Sequence, residues 1–147
     1  MKKVLFFAMA LVAGALAFTS CEGNNPNNPI VGTWMYENKP MNGSTDFSRM
    51  YAIFNEDFTF ELQERWVYSG QEDKHYNYMA GTYEFKANNV VLAHFKSHGW
   101  YHEGEKDVVP GFEGWDEQIQ YSISGNTLTL IRGYGSSNPV TETYTKQ

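Results

Sequence analysis

The 147-residue chain contains a single cysteine, Cys21. Because that cysteine has no partner within the chain, an intramolecular disulfide is excluded, and side-chain packing must hold the core together. Basic residues are also scarce: 11 Lys and Arg stand against 17 Asp and Glu, which gives a formal net charge of −6. Nucleic acid is therefore excluded as an expected partner, since binding to it depends on clustered basic side chains.

Catalytic motifs are missing as well. The sequence has neither the Gly-x-Ser-x-Gly pattern of a nucleophile elbow nor the His-Glu-x-x-His pattern of a zinc protease. Glu61 and Glu64 would point to opposite faces of a strand, so they could not act as an acid–base pair. Asp116 and Glu117 open a strand, where a solvated edge is the simpler interpretation. We therefore expect no enzyme activity, no catalytic residue and no cofactor.

Three of the four histidines are spaced four residues apart, at His94, His98 and His102. This spacing would place them on one face of a helix or a strand, and zinc accepts three histidines. Gly99 interrupts the run, however, and a loop beginning near Ser97 would separate the side chains. We predict surface or rim histidines and no metal site.

The start of the chain has the layout of an export signal. Lys2 and Lys3 precede an uncharged apolar stretch over residues 4–18. This stretch is shorter than the roughly 20 residues that a spanning helix needs, which favours a signal peptide over a transmembrane anchor. An ordinary signal peptide cut nearby, leaving Cys21 as a free thiol, is an alternative.

Residues 18–21, Phe-Thr-Ser-Cys, resemble the lipobox of secreted bacterial lipoproteins, with Phe18 in place of the more usual Leu. The resemblance implies a signal peptide over residues 1–20 and acyl chains, such as palmitate, on Cys21. It also implies a protein of the cell envelope that a lipid anchor holds at the outer membrane, on either its periplasmic or its outer face. Residues 22–29 contain four Asn and two Pro and no apolar side chain. We therefore read 21–29 as a lipidated, flexible tether.

Residues 30–147 are enough for one domain with one core. Aromatic residues make up 16% of the whole chain, and such side chains favour strands. Apolar and polar residues alternate in residues 58–66, the period of a strand with one buried face. Asn- and Gly-containing turns separate further stretches of this kind. We predict eight strands near residues 30–36, 50–54, 58–66, 76–85, 90–92, 119–123, 128–130 and 140–144.

Sequential hairpins without long crossovers predict an all-β, eight-stranded, antiparallel up-and-down barrel, with a β-sandwich as the alternative. Residues 37–48 and 97–114 are predicted as long loops. Alternation places one set of side chains inside the barrel: Phe58, Phe60, Leu62, Trp66, Tyr83, Phe85, Val90, Leu92, Ile119, Tyr121, Ile123, Leu128 and Leu130.

The inward side chains form either a filled core or a pocket toward one end of the barrel. For the pocket, we name seven candidate ligand-lining residues, the last two of which would lie near its mouth: Trp66, Tyr83, Phe85, Leu92, Tyr121, Trp100 and Phe112.

Gly32-Thr33-Trp34, at the opening of the first predicted strand, resembles the Gly-x-Trp signature of lipocalins and lipocalin-like domains. The repeated Gly-Thr-Tyr-x-Phe and Gly-Asn-x-Leu-x-Leu hairpins are also similar to those of small bacterial lipocalin-like lipoproteins. The resemblance implies that Gly32 permits a close bend, that Trp34 plugs the closed end of the barrel, and that an arginine from a late strand, here Arg132, stacks on it.

Two functions follow as expectations. The first is an envelope-anchored carrier or sensor that binds a small apolar or aromatic molecule. The second is a protein-interaction module, such as an inhibitor or an accessory subunit of an outer-membrane complex. Trp100 and Phe112 favour the second, because exposed aromatic side chains act as binding anchors.

Overall fold

The computed structural model describes residues 28–39 and 45–147. The predicted signal peptide, Cys21 and most of the tether lie outside the described residues, so lipidation stays a prediction. Within the described ranges, no helix has the length and apolar character needed to cross a membrane.

Nine β-strands account for most of the described chain. In chain order they are β1 (Gly32–Asn38), β2 (Phe47–Phe54), β3 (Thr59–Tyr68), β4 (Gln71–Lys86), β5 (Val90–His102), β6 (Glu105–Val108), β7 (Trp115–Ser124), β8 (Thr127–Arg132) and β9 (Val140–Lys146). Eight of them pair in antiparallel fashion in the order β1-β2-β3-β4-β5-β7-β8-β9, and β9 returns to β1. The chain is therefore a closed, eight-stranded up-and-down barrel. The predicted barrel is confirmed, and the β-sandwich alternative is wrong.

The predicted loop over residues 97–114 is largely strand. β5 continues to His102, and β6 turns back alongside it, with His102 opposite Glu105. The two residues between them, Glu103 and Gly104, both have positive φ, at 49° and 98°. Two such residues form the type of tight turn that matches the twist of a hairpin. β6 therefore extends β5 beyond the barrel wall as a hairpin arm.

The β4–β5 turn corrects the predicted inward face of β5. Lys86 pairs with Val90, so inward-facing Phe85 lies opposite Val91. Asn88 and Asn89 adopt φ values of 62° and 56°. The turn contains three residues, one fewer than the four between the predicted strands 76–85 and 90–92. This one-residue difference reverses the alternation along the strand. Val91, Ala93 and Phe95 therefore belong to the central core cluster. Leu92 and Val90 lie outside that cluster, although Val90 is itself buried.

One end of the barrel is closed by packed side chains. We call the interior beside the hairpin turns at residues 55–58, 87–89 and 125–126 the closed half, and the interior beside residues 45–46, 69–70, 103–114 and 133–139 the open half. Trp34 is fully buried in the closed half, and its Nε1 donates a hydrogen bond to the Ile30 carbonyl oxygen at 2.8 Å. Aromatic rings pack edge to face around it, such as Phe54 against Tyr83 with ring centroids 5.3 Å apart.

The cation over Trp34 is not the one expected. Lys146 Nζ, from the last strand, lies 5.6 Å from the Trp34 ring, beside Gly32. Arg132 lies over the Phe95 ring instead, at 5.7 Å. The expected stacking of Arg132 on Trp34 is therefore corrected. Arg132 ends β8 at the open half, whereas Lys146 pairs directly with Trp34 across β1 and β9.

Candidate functional site

The inward positions change from apolar to polar along the strands. On β2 the inward residues run from Phe54 and Ala52 in the closed half to Met50 and Ser48 in the open half. The register of the first three with Phe60, Leu62 and Glu64 of β3, and the alternation along β2, place them so. Glu64 then faces Asn77 of β4. Strand alternation therefore places a carboxylate, an amide and a hydroxyl inside the open half of the barrel.

A cavity of about 150 Å³ lies in this part of the interior, with walls from β2, β3, β4 and β5. Its apolar lining residues are Met50, Leu62 and Met79. Its polar lining residues are Gln63, Glu64, Asn77, Tyr78 and His98. An apolar cavity of about 150 Å³ is large enough for a benzene-sized molecule.

Two buried polar atoms of the open half are unsatisfied, and one of them, Asn77 Oδ1, belongs to a residue that lines this cavity. Ser48 Oγ and Asn77 Oδ1 have no hydrogen-bond partner among the described residues, and Ser48 is only 1% exposed. Glu64 makes no hydrogen bond or ion pair with any residue that the structure describes. An unpaired buried polar group costs about 1–3 kcal/mol. A bound water or a ligand that donates hydrogen bonds would remove that cost.

The opposite wall carries an ion pair. Arg132 Nη2 lies 2.8 Å from Glu117 Oε2, and the Gly133 amide also donates to Glu117. Burial disfavours the charged form of Glu117, but the hydrogen bonds and charge of Arg132 outweigh it and lower the pKa of Glu117. The expectation of a solvated edge at Glu117 was therefore wrong. A second, wider cavity of about 430 Å³ lies along this wall, lined by Glu117, Arg132, Gly133, Asn138, Val140 and Glu142.

Tyr36 of β1 stands between the two walls. Burial is the main cause that raises the pKa of its phenol, and the negative charges of Glu142 and Glu64 raise it further while Arg132 opposes them. The ring packs edge-on against Tyr144, with centroids 4.9 Å apart. Charged groups on both walls therefore act on the Tyr36 hydroxyl, so the polar residues of the two walls face one common interior.

Three of the predicted ligand-lining residues face inward but lie in the closed half. Tyr83 is buried; its hydroxyl donates to the Asn55 carbonyl oxygen at 2.9 Å and accepts from Asn28 Nδ2 at 2.7 Å. Phe85 packs against Tyr83 and Tyr121, with centroids 5.8 and 5.9 Å away. These residues fill the core and do not line the cavity.

The other predicted lining residues lie on the outer surface or at the rim. Leu92 pairs with outward-facing Glu84 and therefore faces outward itself, so the prediction that it lines the pocket is wrong. The same register brings Val91 inward. Trp66 sits at a β-bulge, is 43% exposed and stacks on Tyr68, and Trp100 is 57% exposed. Phe112 is partly buried against the core and does not line the cavity, but its ring lies 5.9 Å from that of His98, which does.

Sequence reasoning missed Tyr36, Glu64, Asn77, His98 and Glu142 as site residues. One signal was present: Glu64 is in phase with the inward residues Phe60 and Leu62, so the strand period itself places a carboxylate on the apolar face. The positions of His98 and Glu142 depended on register shifts and strand partners that alternation within one strand does not specify.

The three histidines with regular spacing do not come together. His94 faces outward, with Nδ1 2.7 Å from Asp116 Oδ1, whereas His98 lines the cavity. The β4–β5 register shifts between Ala80 and Gly81, so Lys96 is an extra residue that reverses the alternation between these histidines. His102 lies at the hairpin arm, and its ring stacks on that of His75 at 4.2 Å.

No protein-family model matches the chain, and no curated protein matches it.

Proposed function

We propose that the protein is an envelope-anchored lipoprotein whose barrel binds a small ligand with an apolar or aromatic body and a hydrogen-bond-donating head. The cavity in the open half carries the proposal: Met50, Leu62 and Met79 offer an apolar wall, and unsatisfied acceptors adjoin it. Ligand pockets typically combine a mainly apolar lining with a few placed polar groups.

The charges of the open half favour a cationic head. Glu117 already has Arg132 as its partner, and Glu142 accepts a hydrogen bond from the Tyr144 hydroxyl at 3.0 Å. Glu64 has no such partner among the described residues and faces Asn77, whose buried Oδ1 is also an acceptor. A small arylalkylamine, which is protonated at neutral pH, would place its ring against the methionines and its ammonium between these two acceptors.

The matched probes for this site are benzylamine and its neutral analogue benzyl alcohol, titrated by isothermal calorimetry. The protein is the chain from residue 21 with Cys21→Ala, which carries no acyl chain and needs no detergent. We expect saturable binding of both probes, with benzylamine the tighter. Glu64→Gln should remove most of that difference, whereas Glu56→Gln, the same charge change at an exposed turn of the closed end, should preserve it.

Filling the cavity provides the second arm of the test. Met79→Trp should abolish binding of both probes, because the indole occupies the space that the ring would take. Met35→Trp is the control, since Met35 lies on β1 next to Trp34 and therefore faces outward. If neither probe binds the unsubstituted protein, the ligand-binding proposal fails.

A protein-interaction module is the second candidate. Exposed aromatic rings near the open rim favour it: Trp66, Tyr68, Trp100 and Trp115 are all more than 40% exposed. Aromatic side chains of this kind are common anchors in interfaces. Crosslinking in intact cells through a photoreactive residue at position 100 should then capture one envelope protein, and the same residue at position 56 should not.

The lipid anchor is tested at Cys21. Because acylation requires the sulfur, Cys21→Ala should remove labelling by a radioactive fatty acid and release the protein from the membrane fraction. Continued labelling of the Ala variant would contradict the anchor. Cys21→Ser is the conservative control and should behave like Cys21→Ala.

A further inference from the structure

The hairpin arm brings together side chains that the sequence spacing does not suggest. Tyr76 of β4 pairs with Tyr101 of β5, so the next residues outward along the two strands are His75 and His102. Their imidazole rings stack at a centroid distance of 4.2 Å. Glu103 follows His102 directly, in the tight turn where its φ is 49°. The β4–β5 pairing therefore places two imidazoles and a carboxylate at one point on the open rim.

The donor atoms of this group are within reach of one ion. One ligand atom each from His75, His102 and Glu103 can be chosen so that all lie within 4.8 Å of one another. Bonds from zinc to imidazole nitrogen and carboxylate oxygen are about 2.0–2.2 Å long. The side chains would therefore have to rotate, and the stacked imidazole rings would have to separate, to bring the three donors to a common centre. All three residues are at the surface, where an ion can enter directly.

A fourth residue already orients His75. Asp73 Oδ1 accepts hydrogen bonds from the His75 backbone amide at 2.9 Å, and it lies 3.0 Å from the His75 ring Nδ1. When Nδ1 carries the proton and donates to the carboxylate, Nε2 presents its lone pair to solvent. Metal-binding histidines commonly have such a carboxylate partner, because it fixes both the tautomer and the ring orientation.

We propose that His75, His102 and Glu103 form a Zn²⁺ site at the open rim, with Asp73 as a positioning residue. Two imidazoles and one carboxylate match the ligand preference of zinc and leave a fourth position for water or for a donor from another molecule. The site is separate from the cavity, since none of its ligands lines it. It therefore does not depend on the proposed ligand-binding function.

The test is a zinc titration of the full-length chain in detergent, after removal of metal with a chelator, in competition with a fluorescent zinc indicator. The unsubstituted protein should bind one equivalent of Zn²⁺. His75→Ala and His102→Ala should each abolish that binding, and Asp73→Asn should weaken it by about 10–100-fold, the usual effect of losing a carboxylate that orients a ligating histidine.

His94→Ala is the matched control. His94 also contacts carboxylates, with Asp116 at 2.7 Å and Glu84 at 3.8 Å, but it lies on the outer wall. Its substitution should leave zinc binding unchanged, and X-ray absorption should report two imidazole ligands at about 2.0–2.1 Å. The proposal is overturned if no saturable binding occurs, if His75→Ala and His102→Ala bind normally, or if His94→Ala abolishes binding.

Discussion

The two halves of the barrel interior differ in how their polar groups are treated. In the closed half, Trp34 and Tyr83 are buried, and each has its polar atom hydrogen bonded. Asn28 is a partial exception: its Nδ2 donates to Tyr83, but its Oδ1 has no partner among the described residues. In the open half, Ser48 and Asn77 have oxygens without a partner among the described residues, and Asn77 lines a cavity. The closed half is thus arranged for stability, whereas the open half retains polar groups at a cost to stability.

The largest effect should come from emptying the closed half. Trp34→Ala removes a fully buried indole and its hydrogen bond to Ile30, so we expect the free energy of unfolding to fall by about 3–5 kcal/mol. Chemical denaturation followed by circular dichroism measures the change. Trp100→Ala removes the same side chain type from the open rim and should change stability by less than about 0.5 kcal/mol. Equal losses in the two variants would contradict the difference between the halves.

A smaller effect should come from the ion pair in the open half. Glu117→Gln leaves the largely buried guanidinium of Arg132 without its carboxylate, and the pair has only 15% and 22% side-chain exposure. We expect a loss of about 2–3 kcal/mol, below the 3–5 kcal/mol typical of fully buried pairs. Replacing both residues, as Glu117→Gln with Arg132→Met, should restore much of the loss, because no unpaired charge remains.

The same pair should make stability depend on pH. The pKa of Glu117 in the folded state is lower than its ordinary value of 4.5, so the folded protein binds fewer protons than the unfolded chain in this range. The stabilisation is complete above about pH 4.5 and is lost as the pH falls through the folded-state value. The free energy of unfolding, measured by chemical denaturation at several values between about pH 6 and 3, should change less with pH for Glu117→Gln than for the unsubstituted protein.

The difference between the barrel strands and the polar open half also explains what could be predicted from the sequence. Alternation in residues 58–66 and the turn residues between hairpins were sufficient for the eight barrel strands, because each hairpin is a local feature. The site, in contrast, depends on the register between strands that are far apart in the sequence. Leu92 was misplaced by one residue of turn length, and a single bulged residue, Lys96, separated His94 from His98. Inward polar residues such as Glu64 run against the rule that buried faces are apolar, so the pattern alone does not mark them.

The smallest effect should come from Ser48, and its sign is the informative part. Its hydroxyl is buried and has no partner among the described residues, so Ser48→Ala removes an unsatisfied group and leaves almost the same volume. We expect the free energy of unfolding to rise by about 0.5–1 kcal/mol, whereas most substitutions lower it. Thr59→Ala at the closed end is the contrasting control. The Thr59 hydroxyl hydrogen bonds to Asp57 and Asn55, so its loss should destabilise by about 0.5–1.5 kcal/mol. If Ser48→Ala also destabilises, the hydroxyl has a partner such as an ordered water. The polar groups of the two halves would then not differ in whether they are hydrogen bonded.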